Sequence, residues 1–155
     1  MAFVGTQAPN FKLQNENSEW ISLSDFLGKN PVLLVFYPGD FTPVCTKQLC
    51  SYQDNYNEFQ KHQLQVLGIS ANSPAEHGKF KAQYGFCFPL LSDTNKETAK
   101  NYGITSLFLL GGLSRAVFIL SKSGKVLYRY VEPTPLTRRK PKELLQIIES
   151  LKTSL

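Results

Sequence analysis

A chain of 155 residues with 42% hydrophobic and 19% charged side chains has the make-up of one globular domain, 1–155, long enough to bury a core without covalent staples. The net charge of +5 is scattered, and its densest run, Arg138-Arg139-Lys140, reads as a solvated face, so nucleic acid is not the expected partner. Residues 1–12 lack a leader pattern and no apolar run, 107–113 included, approaches a membrane span, so a cytoplasmic protein without membrane attachment is expected.

In chain order, 11–13 and 20–22 read as short strands around a turn at 14–19, and Ser24 suits the cap of a helical turn ending near Gly28. The unbroken apolar run 32–37 is a buried strand of the parallel type. Residues 43–62 form a long helix, with Leu49, Tyr52, Tyr56 and Phe59 at spacings of three and four. A second strong strand covers 65–70. Ser73 caps a helix over 74–84 that Gly85 ends, and 89–91 is a short extended piece. Asp93 or Thr94 caps a further helix through Tyr102, closed by Gly103. Strands 115–120 and 126–131 form a hairpin across 121–125, and a helix over 141–151 carries Leu144, Leu145, Ile147, Ile148 and Leu151 on its buried stripe. The early βαβ order requires parallel strands and the late hairpin adds antiparallel ones. The expected fold class is α/β: a mixed central sheet with helices on both faces, as in the thioredoxin-like architecture.

Three cysteines without a secretory leader point to redox or metal chemistry in a reducing compartment. The richest segment is Pro38-Gly39-Asp40-Phe41-Thr42-Pro43-Val44-Cys45, directly after the first strong strand. Thr42 suits an N-cap and Pro43 the first helical position, which makes Cys45 the third helical residue. There it lies among unpaired backbone N–H groups at the positive end of the helix, a place that favours a nucleophilic thiolate. Thr42 is close enough in sequence to set its hydroxyl beside the sulfur, and Pro38 fixes the turn and can shield it from water. Cys50 follows five residues later, a spacing that excludes C-x-x-C redox chemistry and assigns Cys50 either to the core or to a redox role. In an intact helix the two cysteines would be separated by about 7.5 Å of rise and point about 140° apart, so a bridge between them demands unwinding. Cys87, between Phe86 and Phe88, reads as a packed small hydrophobe. His62 and His77, fifteen residues apart, read as surface residues, and no pair has the spacing of a metal site. Arg115 opens a strand, and on sequence alone faces solvent.

Pro38-x-x-x-Thr42-x-x-Cys45 resembles the peroxiredoxin active-site motif, and the longer 36–46 stretch with Cys50 resembles the bacterioferritin-comigratory, or Q-type, branch. Gly5-x-x-Ala8-Pro9-x-Phe11, Phe88-Pro89-Leu90-Leu91-Ser92-Asp93 and Arg115-Ala116-Val117-Phe118-Ile119 match family landmarks in order, so the resemblance spans nearly the whole chain. Departures are Val44 where the branch usually has Gly, Gly39 where Lys is common, a hairpin turn without its usual Asp, and Ala116 after the arginine. The resemblance implies a thiol peroxidase for hydrogen peroxide and organic hydroperoxides, with Cys45 peroxidatic and Cys50 resolving. Pro38, Thr42 and Arg115 would complete the peroxide pocket. It further implies recycling by thioredoxin or a similar dithiol, no metal or organic cofactor, and a monomer or weak dimer. A disulfide oxidoreductase and a redox-sensing binding protein are the alternatives; catalytic peroxide turnover separates them from a peroxidase.

Overall fold

The computed structural model describes residues 2–104, 113–134 and 136–155. The apolar run 107–113 therefore lies, except for Leu113, outside the described residues. Among the described residues seven strands form one sheet: β1 (Lys12–Gln14), β2 (Trp20–Ser22), β3 (Val32–Phe36), β4 (Gln65–Ser70), β5 (Leu90–Ser92), β6 (Ala116–Leu120) and β7 (Val126–Val131). Their order is β2-β1-β5-β4-β3-β6-β7. Strands β3, β4 and β5 are parallel, while β1, β2, β6 and β7 join antiparallel. This is the mixed sheet expected from the element order.

Helices α1 (Pro43–Asp54), α2 (Tyr56–Lys61), α3 (Pro74–Tyr84), α4 (Glu97–Asn101) and α5 (Pro141–Leu151) cover it. No helix among the described residues is long and apolar enough to cross a membrane. Alternation along β3 feeds two cores. Val32, Leu34 and Phe36 pack on one face with Ala99 of α4, and Leu33 and Val35 on the other with Leu49, Phe59, Phe80 and Ile148 from the four remaining helices. Strand β6 repeats this division, with Phe118 on the first face and Val117 and Ile119 on the second.

Several boundaries differ from the expected ones for local reasons. The single helix 43–62 is two, because Asn55 turns its side-chain amide onto the Ser51 carbonyl at 2.9 Å and leaves helical geometry there. Ser22, not Ser24, precedes the short 3₁₀ turn Leu23–Asp25, whose Asp25 carboxylate accepts the Ser22 N–H at 2.9 Å. Asp93 does cap α4, although it stands four residues before the helix: its carboxylate accepts the Thr98 and Ala99 N–H groups at 3.1 and 2.9 Å. Gly85 ends α3 in the left-handed conformation, φ 68°. Arg139 is no part of a solvated face. It pairs with the buried Glu132 and with Glu143, each at 2.9 Å, and lies over the Tyr130 ring.

Candidate active site

The register of the sheet gathers the site. Strand β6 runs antiparallel to β3 with Ala116 opposite Phe36, so the residue before β6 lies level with the carboxyl end of β3, where the chain turns towards α1. That residue is Arg115. It is 2% exposed, and its Nη2 donates to Cys45 Sγ at 3.3 Å across a sequence separation of 70. The solvent-facing reading of Arg115 from sequence alone is thus corrected. Cys45 itself is the third residue of α1 and 1% exposed.

The guanidinium is held from its other side. Arg115 Nη1 donates to Gln48 Oε1 at 2.6 Å, Gln48 Nε2 donates to the Tyr52 hydroxyl at 2.9 Å, and that hydroxyl donates to the Arg139 carbonyl at 2.6 Å. Every link has a donor facing an acceptor, which settles the orientation of the Gln48 amide. Burial pushes the Tyr52 phenol up, so it stays protonated as the network requires. Gln48 was missed in the sequence reading, although its place three residues after Cys45 puts it on the same helix face.

Thr42 occupies the N-cap position of α1 with extended backbone, as expected, but its hydroxyl makes no cap bond. It donates instead to the Gly39 carbonyl at 2.8 Å and tightens the turn. Pro38 is half-buried at the start of that turn. Cys50 lies half-buried on the unbroken α1, packed against the core face that also holds Cys45. Burial pushes the Cys50 thiol up, and the Asp54 carboxylate one turn on adds to this. All three cysteines are free thiols.

Two expectations are corrected. Cys87 is exposed, not packed: the flanking Phe86 and Phe88 turn inward and the residue between them turns out. Its backbone N–H and its sulfur meet the amide of Gln53, at 2.6 and 3.2 Å. His77 is fully buried rather than on the surface, between Asp40 and the Leu91 carbonyl. His62 is half-buried with its ring 3.9 Å from Glu149. Among the described residues no group of three or more His, Cys, Asp or Glu side chains is arranged to hold a metal ion.

A buried thiol at a helix start with a clamped guanidinium against its sulfur is a site for nucleophilic sulfur chemistry. Residues 4–129 match the model of the AhpC/TSA family. The chain is 42% identical over 127 residues to "Peroxiredoxin Q, chloroplastic" of Oryza sativa subsp. japonica, an alignment covering 81% of this chain and 58% of that one. It is 31% identical over 159 residues to "Peroxiredoxin Bcp" of Bacillus subtilis (strain 168), covering 97% of this chain and 93% of the relative. The chain thus spans little more than half the length of the rice relative it matches. Among solved structures, peroxidoxin BcpB of Mycobacterium tuberculosis aligns with a TM-score of 0.83 at 26% identity, covering 99% of this chain and 97% of that one. Reduced 2-Cys peroxiredoxin of Plasmodium vivax aligns with a TM-score of 0.85 at 29% identity, covering 99% and 83%.

Proposed function

The chain belongs to the AhpC/TSA family, in its peroxiredoxin Q and Bcp branch, and from that premise we propose that it is a thiol-dependent peroxidase with Cys45 as the attacking group. The observation that carries the proposal is the Arg115 guanidinium, 3.3 Å from Cys45 Sγ and clamped by Gln48. A sulfur anion attacks one oxygen of a hydroperoxide, the O–O bond breaks, and the distal oxygen leaves with the bonding pair. The products are a sulfenate and, after protonation, water or an alcohol. Positive charge beside the sulfur first stabilises the thiolate and then the departing oxygen, without reorganising during the step. Thr42 has spent its proton on the Gly39 carbonyl, so its oxygen is left to accept the O–H of a bound hydroperoxide. Pro38 presents ring carbons and no N–H at the turn, and keeps bulk water from that side.

Cys50 then condenses with the sulfenic acid, releasing water and forming the disulfide. Since α1 is continuous through both residues, its first turns unwind before the sulfurs meet. Unwinding also removes the burial that holds the Cys50 thiol up, so opening itself readies the resolving nucleophile. A thioredoxin-like dithiol restores both thiols by exchange. Hydrogen peroxide and small organic hydroperoxides are the proposed substrates, acted on by a cytoplasmic monomer. Sedimentation and localisation of the full-length protein test those two points. The activity is tested by following peroxide loss with the reduced protein and a thioredoxin recycling system. Sustained turnover that disappears in Cys45→Ser is expected; a stoichiometric burst alone would assign the protein to redox sensing instead.

A further inference from the structure

Asp40 and His77 form a buried ionisable pair for which the reaction above has no use. Their side chains are 1% and 0% exposed, with His77 Nδ1 2.7 Å from Asp40 Oδ2. His77 Nε2 lies 3.0 Å from the Leu91 carbonyl, and the Tyr37 hydroxyl donates to Asp40 Oδ1 at 2.6 Å. A carbonyl only accepts, so Nε2 carries a proton. One further proton lies between Nδ1 and Oδ2, whether the pair is written as imidazolium and carboxylate or as imidazole and carboxylic acid. The pair is neutral as a whole either way, and each polar atom of the triad has a partner. Burial and the adjacent Asp40 push the Tyr37 phenol up, so it remains a donor.

The pair ties together three pieces of chain. Asp40 is in the turn between β3 and α1, His77 is on α3, and Leu91 is in β5. The Asp40 N–H is also held, by Asn72 Oδ1 at 2.9 Å, and Ser70 Oγ donates to the same oxygen at 2.7 Å. The next residue, Phe41, stands at φ +64°, a region that bulky side chains rarely enter, with its ring centred 4.9 Å from that of Phe80 on α3. Strain of this kind persists only where the surroundings over-determine it. Here Asp40 is anchored next to the strained residue, and the Phe41 ring itself packs at a tilt of 56° against Phe80. Thr42 follows at once, and with it the start of α1.

We propose that His77 is a positioning residue for the Cys45 thiol. Acting through Asp40, it pins the 38–42 turn to α3 and so keeps the first turn of α1 closed, with the sulfur against Arg115. The inference rests on the reading of Cys45 as the group that attacks peroxide. Without the clamp the closed state is less populated, and attack on peroxide slows in proportion to the fraction lost. Condensation with Cys50 needs the open state and does not slow.

The test compares two substitutions at one position by rapid-mixing kinetics with hydrogen peroxide. Asn sets its amide where Nδ1 stands, facing Asp40; Gln sets its amide where Nε2 stands, facing Leu91. His77→Asn should stay within about threefold of the wild-type rate constant for peroxide, whereas His77→Gln should lose roughly tenfold or more, with the following disulfide step undiminished. Equal loss in both variants, no loss in either, or a slowed disulfide step in His77→Gln would overturn the assignment. Should His77→Gln not fold, Asp40→Asn, which keeps an acceptor for Tyr37 and gains a donor for His77, is compared with Asp40→Ala under the same criteria. Cys45→Ser runs beside them. If it reacts as fast as wild type, the underlying reading of Cys45 is wrong; if it is inert while the two His77 variants match, only the clamp is wrong.

Discussion

At the scale of residues, the site turns on how Arg115 is aimed. Its guanidinium bonds Gln48 through one nitrogen and Cys45 through another, so it acts as a fork rather than a point charge. Arg115→Ala should therefore raise the barrier to peroxide by about 3 kcal/mol, a hundredfold or more in rate. Arg115→Lys should recover little, because an ammonium cannot span both partners. Stopped-flow rate constants decide this: a fast Arg115→Ala enzyme would make the arginine a packing residue. Gln48→Ala should slow the reaction less than Arg115→Ala, since the guanidinium stays but loses its stay. Cys50 carries the pH prediction. Its folded thiol is held up by burial and Asp54, so the stability it lends α1 is present below the ordinary thiol value of ~8.5 and is lost as pH rises through the higher folded value. Alkylation of Cys50 in the reduced protein should accelerate above that pH and exchange protection of α1 should fall with it. A Cys50 that reacts at neutral pH as fast as a free thiol would contradict the arrangement.

At the scale of elements, the proposed resolution by Cys50 makes α1 the part that has to move. Hydrogen exchange across 42–52 should be slow in the reduced protein and fast in the oxidised one, because a bridge between residues five apart in sequence is incompatible with a continuous helix. Equal protection in both forms would mean that resolution takes another route. The β6–β7 hairpin is closely packed at its turn against residues 7 and 27. Gly124 turns it at φ +86°, and a Cβ there would come within 2.5 Å of Gln7 Nε2 and 2.9 Å of Leu27 Cδ2. Gly124→Ala should cost about 1–2 kcal/mol from the left-handed backbone alone, read as a lowered midpoint of thermal unfolding with unchanged chemistry at Cys45. Strands β3, β4, β6 and β7 and helix α5 were legible in sequence because each is a long apolar run or a clean periodic stripe. The break at Asn55 was not, since the surrounding apolar spacing continues through it and one side-chain amide decides the matter.

At the scale of the molecule, what sequence could not supply was long-range pairing. Arg115 reaches Cys45 only because β6 lies antiparallel to β3 in one particular register, and no local pattern encodes that; the family motif brought the two together before the geometry did. His77 looked like a surface residue beside exposed Ala75 and Glu76, and its burial is explained by two distant partners, Asp40, 37 residues earlier, and the Leu91 carbonyl, 14 residues later. Cys87 was misread for a related reason: its aromatic neighbours argued for packing, whereas Phe86 and Phe88 are buried and leave the residue between them exposed. Together these pairings place a thiol between the ends of two central strands, β3 and β6, and the start of α1. The most direct measurement is peptide mapping by mass spectrometry after one equivalent of hydrogen peroxide is added to the fully reduced protein. The account predicts that the peroxide is consumed, that Cys45 and Cys50 are recovered as one disulfide, and that Cys87 stays a thiol. Recovery of Cys45 as an unmodified thiol with the peroxide intact, or of a Cys45–Cys87 bridge, would contradict it.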